Sequence, residues 1–159
     1  MIVHPIPPLF DENSKTLILG SFPSVKSRES AFFYGHKQNR FWQVVANIFG
    51  EKIPQNIEEK KQLILANKIA LWDVIGKCEI EGSADSTIKN VTANDLTIIL
   101  NNAPIERIFV NGKTALKYYD KYIKQTTSSY SYQPERAGSF VVSIINSFIS
   151  SFGIILRDR

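Results

Sequence analysis

The sequence predicts an α/β fold: a three-layer sandwich with a central, mainly parallel four-stranded sheet and helices on both faces. Three observations predict it. Apolar runs of strand length occur at residues 15–20, 69–74, 106–110 and 139–145. Stretches with helical spacing of apolar residues separate them. Strands that alternate with helices pair in parallel through right-handed crossovers.

Each element has its own signal. Residues 15–20, KTLILG, form a buried strand that stops at a glycine. Residues 21–38 are a long loop holding Pro23 and Gly35. Residues 41–49 have apolar side chains at helical spacing, and Gly50 ends them. A second helix is expected over 57–67 and a second strand over 69–74. Residues 76–90 are polar and read as a loop, and residues 94–102 read as a helix. The third strand, 106–110, meets Asn111-Gly112, which turns the chain into a helix over 113–122. A polar loop over 125–138 leads to the fourth strand. No repeat or linker interrupts the order, so residues 1–159 are expected to form a single domain.

Composition narrows the function classes. With 43% hydrophobic and 21% charged residues the chain is ordinary for a globular protein. Its lone cysteine, Cys78, allows no internal disulfide, and no Cys/His cluster has zinc spacing. No structural metal is therefore required, and a reducing cytoplasm (the nucleoid, in a bacterium) fits. The N-terminal MIVHPIPPLF is broken by prolines and lacks a basic leader, so it does not read as a signal peptide. The apolar stretch 139–156 is interrupted by serines and does not read as a membrane span. A net charge of +4 with pI near 9.2 permits a polyanionic partner.

In such folds sites form beyond the carboxyl ends of the strands. The loops leaving those ends are 21–24, 76–90 and 111–112. The first leads into FFYGHKQNRFW, residues 32–42, where six of eleven residues carry rings if His36 is counted. There is no Gly-rich phosphate loop, dinucleotide fingerprint or nucleophile elbow. His4 and His36 are the only imidazoles, and His4, in a Pro-rich segment, reads as structural or exposed. Rings, amide tips and mild positive charge suit a flat heterocycle, for which stacking contributes about 1–3 kcal/mol per base. A nucleobase flipped out of a duplex would be held this way.

Gly20-Ser-Phe-Pro23 followed by His36-Lys-Gln-Asn39-Arg-Phe-Trp42 resembles the mismatch-type branch of the uracil-DNA glycosylase superfamily. Those enzymes carry Gly-x-Asn-Pro after the first strand, then His-Pro-x-Asn-Arg-Phe-Trp. The hypoxanthine (deoxyinosine) branch resembles the chain more closely. Its pattern is matched by GSFPS (20–24), SRE (27–29), FFYGHKQNRFW (32–42), LWDV (71–74), Cys78, GSADS (82–86) and IFVNGKTA (108–115). The likeness covers residues 9–142. It implies a monomeric, cofactor-free enzyme acting on double-stranded DNA with a damaged base. Other readings are uracil or mispaired-thymine removal, a non-catalytic DNA-binding remnant, and a small-molecule nucleotide-binding protein.

The resemblance assigns roles, each beside a plainer reading. Asn39 would carry the polar catalytic contribution, orienting water or binding the departing base; it would also serve as a helix N-cap. Ser21, Phe22, Tyr34, His36 and Asn111 would bind the base. Phe22 stands where relatives hold a water-positioning Asn, and it could equally plug the core. Tyr34 matches the ring that stacks on the base, or packs in the core. His36 faces DNA or bonds its own loop. Asn111 makes a turn or helps bind. Ser83, Ser86, Gly112 and Lys113 would touch the DNA backbone, the alternative being turn formation. Arg40, Phe41 and Trp42 read as scaffold.

The C-terminus departs from the pattern. Relatives have a Pro/Ser/Thr-rich loop that enters the DNA; residues 143–159, SIINSFISSFGIILRDR, contain no proline. Back-translated and read one nucleotide later, residues 143–152 permit a Pro/Ser-rich string, which points to a shifted reading frame.

Overall fold

Residues 16–20 read TLILG, and Leu17, Ile18 and Leu19 are all buried. A strand without an outward-facing position must be covered on both faces. The computed structural model describes residues 1–130 and the strand at 141–144. The strands are β1 (Ile2–Val3), β2 (Thr16–Gly20), β3 (Ile69–Asp73), β4 (Ile75–Glu79), β5 (Lys89–Ala93), β6 (Arg107–Val110) and β7 (Val141–Ile144). The helices are α1 (Val25–Ser30), α2 (Phe41–Ile48), α3 (Ile57–Ala66), α4 (Thr97–Leu100), α5 (Lys113–Tyr122) and α6 (Lys124–Tyr130).

One sheet has the order β3-β2-β6-β7, and its neighbours are all parallel. Gly20 pairs with Asp73, and Leu19 with both Trp72 and Val110. The carboxyl ends of β2, β3 and β6 therefore lie side by side. All five residues of β3 are buried, as are Ile108 to Val110 in β6. α2 adds a buried face of Phe41, Trp42, Val44, Val45 and Ala46 to the same core.

The α/β class agrees with the sequence reading, but four local expectations need correction. Residues 76–90 are not one polar loop: β1, β4 and β5 form a second, antiparallel sheet in the order β1-β4-β5. In β4 only Ile75 and Cys78 are buried, while Lys77 and Glu79 face outward, which hides the strand among polar residues. The expected loop 21–38 contains α1. Ser24 caps it by accepting from the Ser27 N–H, and Ala31 closes it at φ 52°. The helix expected over 94–102 shortens to α4, and α6 starts where a polar loop was expected at 125. The unusual segment from 145 onward lies outside the described residues.

Candidate active site

Gly20 ends β2 directly beside Asp73 at the end of β3. A Cβ at Gly20 would overlap Asp73 Oδ1 and touch the Tyr34 hydroxyl at 3.4 Å. Glycine is thus required by close approach of a neighbour. Asp73 is 5% exposed, so its carboxylate needs a partner. His4 supplies one: Nε2 lies 2.6 Å from Asp73 Oδ2. The Ile6 N–H donates to His4 Nδ1 at 3.2 Å. Nδ1 is then the acceptor, so Nε2 carries the proton and donates to the carboxylate. The imidazole packs T-shaped against Phe22, with centroids 5.7 Å apart and planes at 88°, and against Trp72 at 6.3 Å and 76°. His4 is therefore structural, not exposed; only 3% of its side chain is accessible. The pairing spans 69 residues, so no local pattern reveals it. The available signal was Asp73 itself, a charge closing the apolar strand IALWD at the functional edge.

The ring-rich stretch packs largely against itself. Tyr34, half-buried and left-handed at φ 50°, stacks on Phe41 with centroids 3.9 Å apart and planes at 16°. Trp42 Nε1 donates to the Tyr34 carbonyl at 3.2 Å, and Phe32 stacks on Trp42 at 5.9 Å. Buried Ser27 ties the stretch to α1: its Oγ accepts from the Gly35 N–H at 3.0 Å, and its carbonyl from the Phe32 N–H at 3.1 Å. Phe41 thus covers one face of the Tyr34 ring.

Asn39 is half-buried, with its backbone N–H bonded to the His36 carbonyl at 2.9 Å. Its Oδ1 accepts from the Phe41 N–H at 2.9 Å. Arg40, not Asn39, takes the cap position of α2 and makes no side-chain cap bond. Asn39 acts one residue earlier but still satisfies a helix-start donor. An N–H can be met only by the amide oxygen, so the Nδ2 hydrogens are the donors left for other work.

The remaining expected residues are distributed around this corner. Ser21, half-buried, accepts at its carbonyl from the Ile75 N–H at 3.0 Å. Phe22 is 8% exposed, with the Arg28 guanidinium 5.8 Å above its ring. Asn111 Nδ2 donates to the Tyr34 hydroxyl at 3.2 Å. Gly112, at φ 99°, begins α5 and precedes the exposed Lys113. His36 is exposed, and its Nδ1 accepts from the Gln38 N–H at 3.1 Å, the loop-internal bond of the plainer reading. Ser83 and Ser86 are exposed on the loop before β5. Ser83 Oγ accepts from the Val25 N–H at 2.9 Å, and Arg28 donates to the Gly82 carbonyl at 2.8 Å. Arg28 thus links that loop to Phe22.

Asn111 and Phe41 both contact Tyr34, Asn39 holds the Phe41 N–H, Phe22 is buried, and Ser83, Ser86 and Lys113 are exposed. Rings and amide groups of this kind are chemically suited to a flat ring and its polar edge. Among the described residues no His/Cys/Asp/Glu group suits a metal ion, and no helix is long and apolar enough to cross a membrane.

The uracil DNA glycosylase superfamily model matches residues 7–151. Hypoxanthine DNA glycosylase from Methanosarcina barkeri is 37% identical over 114 residues, covering 70% of this chain and 72% of that protein. The Methanosarcina acetivorans protein of the same name is 38% identical over 120 residues, covering 74% and 76%. Among solved structures, the solution NMR structure of a candidate uracil DNA glycosylase from Methanosarcina acetivorans superposes with a TM-score of 0.71 at 29% identity, covering 97% of this chain and 91% of that one.

Proposed function

The chain belongs to the uracil DNA glycosylase superfamily, and from that premise we infer that it is a hypoxanthine DNA glycosylase. It is a hydrolase that removes the deaminated purine of deoxyinosine in base excision repair. The names of the two Methanosarcina relatives support the base class. The observation that carries the reading is that Phe41 joins two groups after the first parallel strand: its ring stacks on Tyr34, and its N–H holds the Asn39 amide oxygen, which leaves the amide nitrogen to donate.

The reaction divides as follows. The target nucleotide leaves the stack, at a cost of a few kcal/mol that is smallest at a mispair. The purine enters against the Tyr34 ring, with Phe22 as an apolar wall. The C1′–N9 bond breaks with its electron pair leaving on the purine. Water oxygen bonds to C1′ and loses a proton to the departing base. Negative charge therefore grows on the purine, where preorganised donors are most effective. Asn39 Nδ2 is that donor, since its oxygen is held by the Phe41 N–H. Ser21, His36 and Asn111 complete the base edge. Ser83, Ser86, Gly112 and Lys113 hold phosphates of double-stranded DNA.

A right-handed step from β2 to β3 and another from β6 to β7 run in opposite directions along the sheet. They carry α3 and α5 to opposite faces, which supports the three-layer arrangement. A monomer in the cytoplasm suffices for this chemistry.

The test is single-turnover cleavage of labelled duplexes containing deoxyinosine, uracil or xanthine, with alkali to reveal abasic sites. Deoxyinosine should be cleaved fastest. Uracil as the preferred base would replace this reading with uracil removal, and silence on all three would remove the enzyme.

A further inference from the structure

We propose that His4 is a positioning residue for base excision, holding Asp73 and Phe22 so that the base pocket is formed before DNA arrives. The proposal rests on the glycosylase reading. His4 precedes the region matched by the superfamily model, which begins at residue 7. The N-terminal arm nevertheless reaches the carboxyl edge of the sheet. It is fixed there by His4 N–H to Gly76 O at 2.8 Å, by Trp72 Nε1 to Ile6 O at 3.2 Å, and by the paired bonds between Leu9 and Leu71. This arm delivers an imidazole whose two nitrogens are both specified. Nδ1 accepts from Ile6, and Nε2 donates to Asp73.

Two consequences reach the pocket. First, the bond to Oδ2 fixes the rotation of the Asp73 carboxylate. That places Oδ1 against Gly20, next to the Tyr34 hydroxyl that also receives Asn111. A carboxylate free to rotate would disturb the ring on which the base stacks. Second, the imidazole packs T-shaped against the Phe22 ring, and Arg28 lies over that same ring. Support of this kind around working groups typically governs rate more than affinity.

The experiment compares wild type, His4→Phe and His4→Gln in single-turnover deoxyinosine excision, with duplex affinity and thermal unfolding measured alongside. Phe keeps an edge against Phe22 but cannot donate to Asp73; Gln can donate through its amide. The expected result is a loss of roughly 10- to 100-fold in rate for His4→Phe, with duplex affinity unchanged and most of the rate regained in His4→Gln. If His4→Phe does not fold, His4→Asn replaces it: its shorter amide should fail to reach Asp73 and should be slow. Wild-type rate in His4→Phe or His4→Asn, or equal loss in Phe and Gln variants of equal stability, overturns the proposal. A wild type silent on deoxyinosine sinks the glycosylase reading and this proposal together. An active wild type with an unaffected His4→Phe sinks only this one.

Discussion

Asn111 donates its side-chain amide to the Tyr34 hydroxyl at 3.2 Å, closing a contact across 77 residues. The bond joins the end of β6 to the ring-rich stretch that follows α1. It therefore holds the hydroxyl end of Tyr34, while the Phe41 ring stacks on the face. Tyr34→Phe keeps the stack but leaves the Asn111 donor without this acceptor. Urea melts should lose about 1 kcal/mol, with excision slowed only a few-fold. Tyr34→Ala removes the platform as well. Stacking of about 1–3 kcal/mol per base corresponds to roughly a 5- to 150-fold loss in excision. An Ala variant as fast as the Phe variant would remove Tyr34 from the base pocket.

Asn39 does two separable things. Its oxygen serves the start of α2, and its nitrogen is assigned to the leaving purine. Asn39→Asp keeps an acceptor for the Phe41 N–H and adds charge near a helix start, so stability should hold or rise slightly. The same variant has no amide donors and sets a negative charge against a growing negative charge. Single-turnover excision should fall by about 10²-fold or more. Asn39→Ala should lose both excision and about 1 kcal/mol of stability. An Asp variant excising at wild-type rate would move Asn39 to a purely structural role.

Much of the fold was legible because the parallel sheet is announced by uninterrupted apolar runs. TLILG and IALWD can be buried on both faces and nowhere else. The antiparallel sheet was illegible for the opposite reason. β4 buries only Ile75 and Cys78, and no residue of β5 is buried, so their sequences look like loops. At the site, Phe22, Tyr34, Asn39 and Asn111 were marked by local motifs following strand ends. His4 was not, because its partner Asp73 is adjacent only after β1 has paired with β4 and the arm has crossed the sheet edge. Residues joined by tertiary contact alone leave no spacing to read.

Alkaline pH should weaken the fold. Burial pushes the Cys78 thiol up, with the nearby Arg28 charge opposing it, and burial likewise pushes the Tyr119 phenol up despite its bond to Thr127. Both groups hold their proton more tightly when folded than when unfolded. Their contribution is complete below the unfolded pKa values, near 8.5 for Cys and 10 for Tyr, and is lost as pH rises through the folded values. Urea melts at increasing pH should show stability falling above about 8.5, with a shallower fall in Cys78→Ala. Cys78 should also resist Ellman's reagent in the native state and react on unfolding. Rapid native-state labelling would contradict its burial.

The final prediction concerns the C-terminal residues. β7 runs parallel to β6, so Ile144 ends at the same edge as Gly20, Asp73 and Val110. The proposed base pocket lies at that edge, and the resemblance implies a Pro/Ser/Thr-rich, DNA-entering loop in the sequence after this strand. The sequence here is INSFISSFGIILRDR, without proline. A wedge that stays in the duplex offsets the cost of extrusion, which amounts to a few kcal/mol and is least at a mispair. Replacing residues 143–159 by the shifted Pro/Ser-rich reading should therefore raise excision, and raise it more for deoxyinosine opposite dC than opposite dT. Equal acceleration of both substrates would place the tail's effect in general DNA binding. No acceleration, together with a genomic locus that reads through in one intact frame, would show that the tail is native and that Tyr34 and Asn39 act without a wedge.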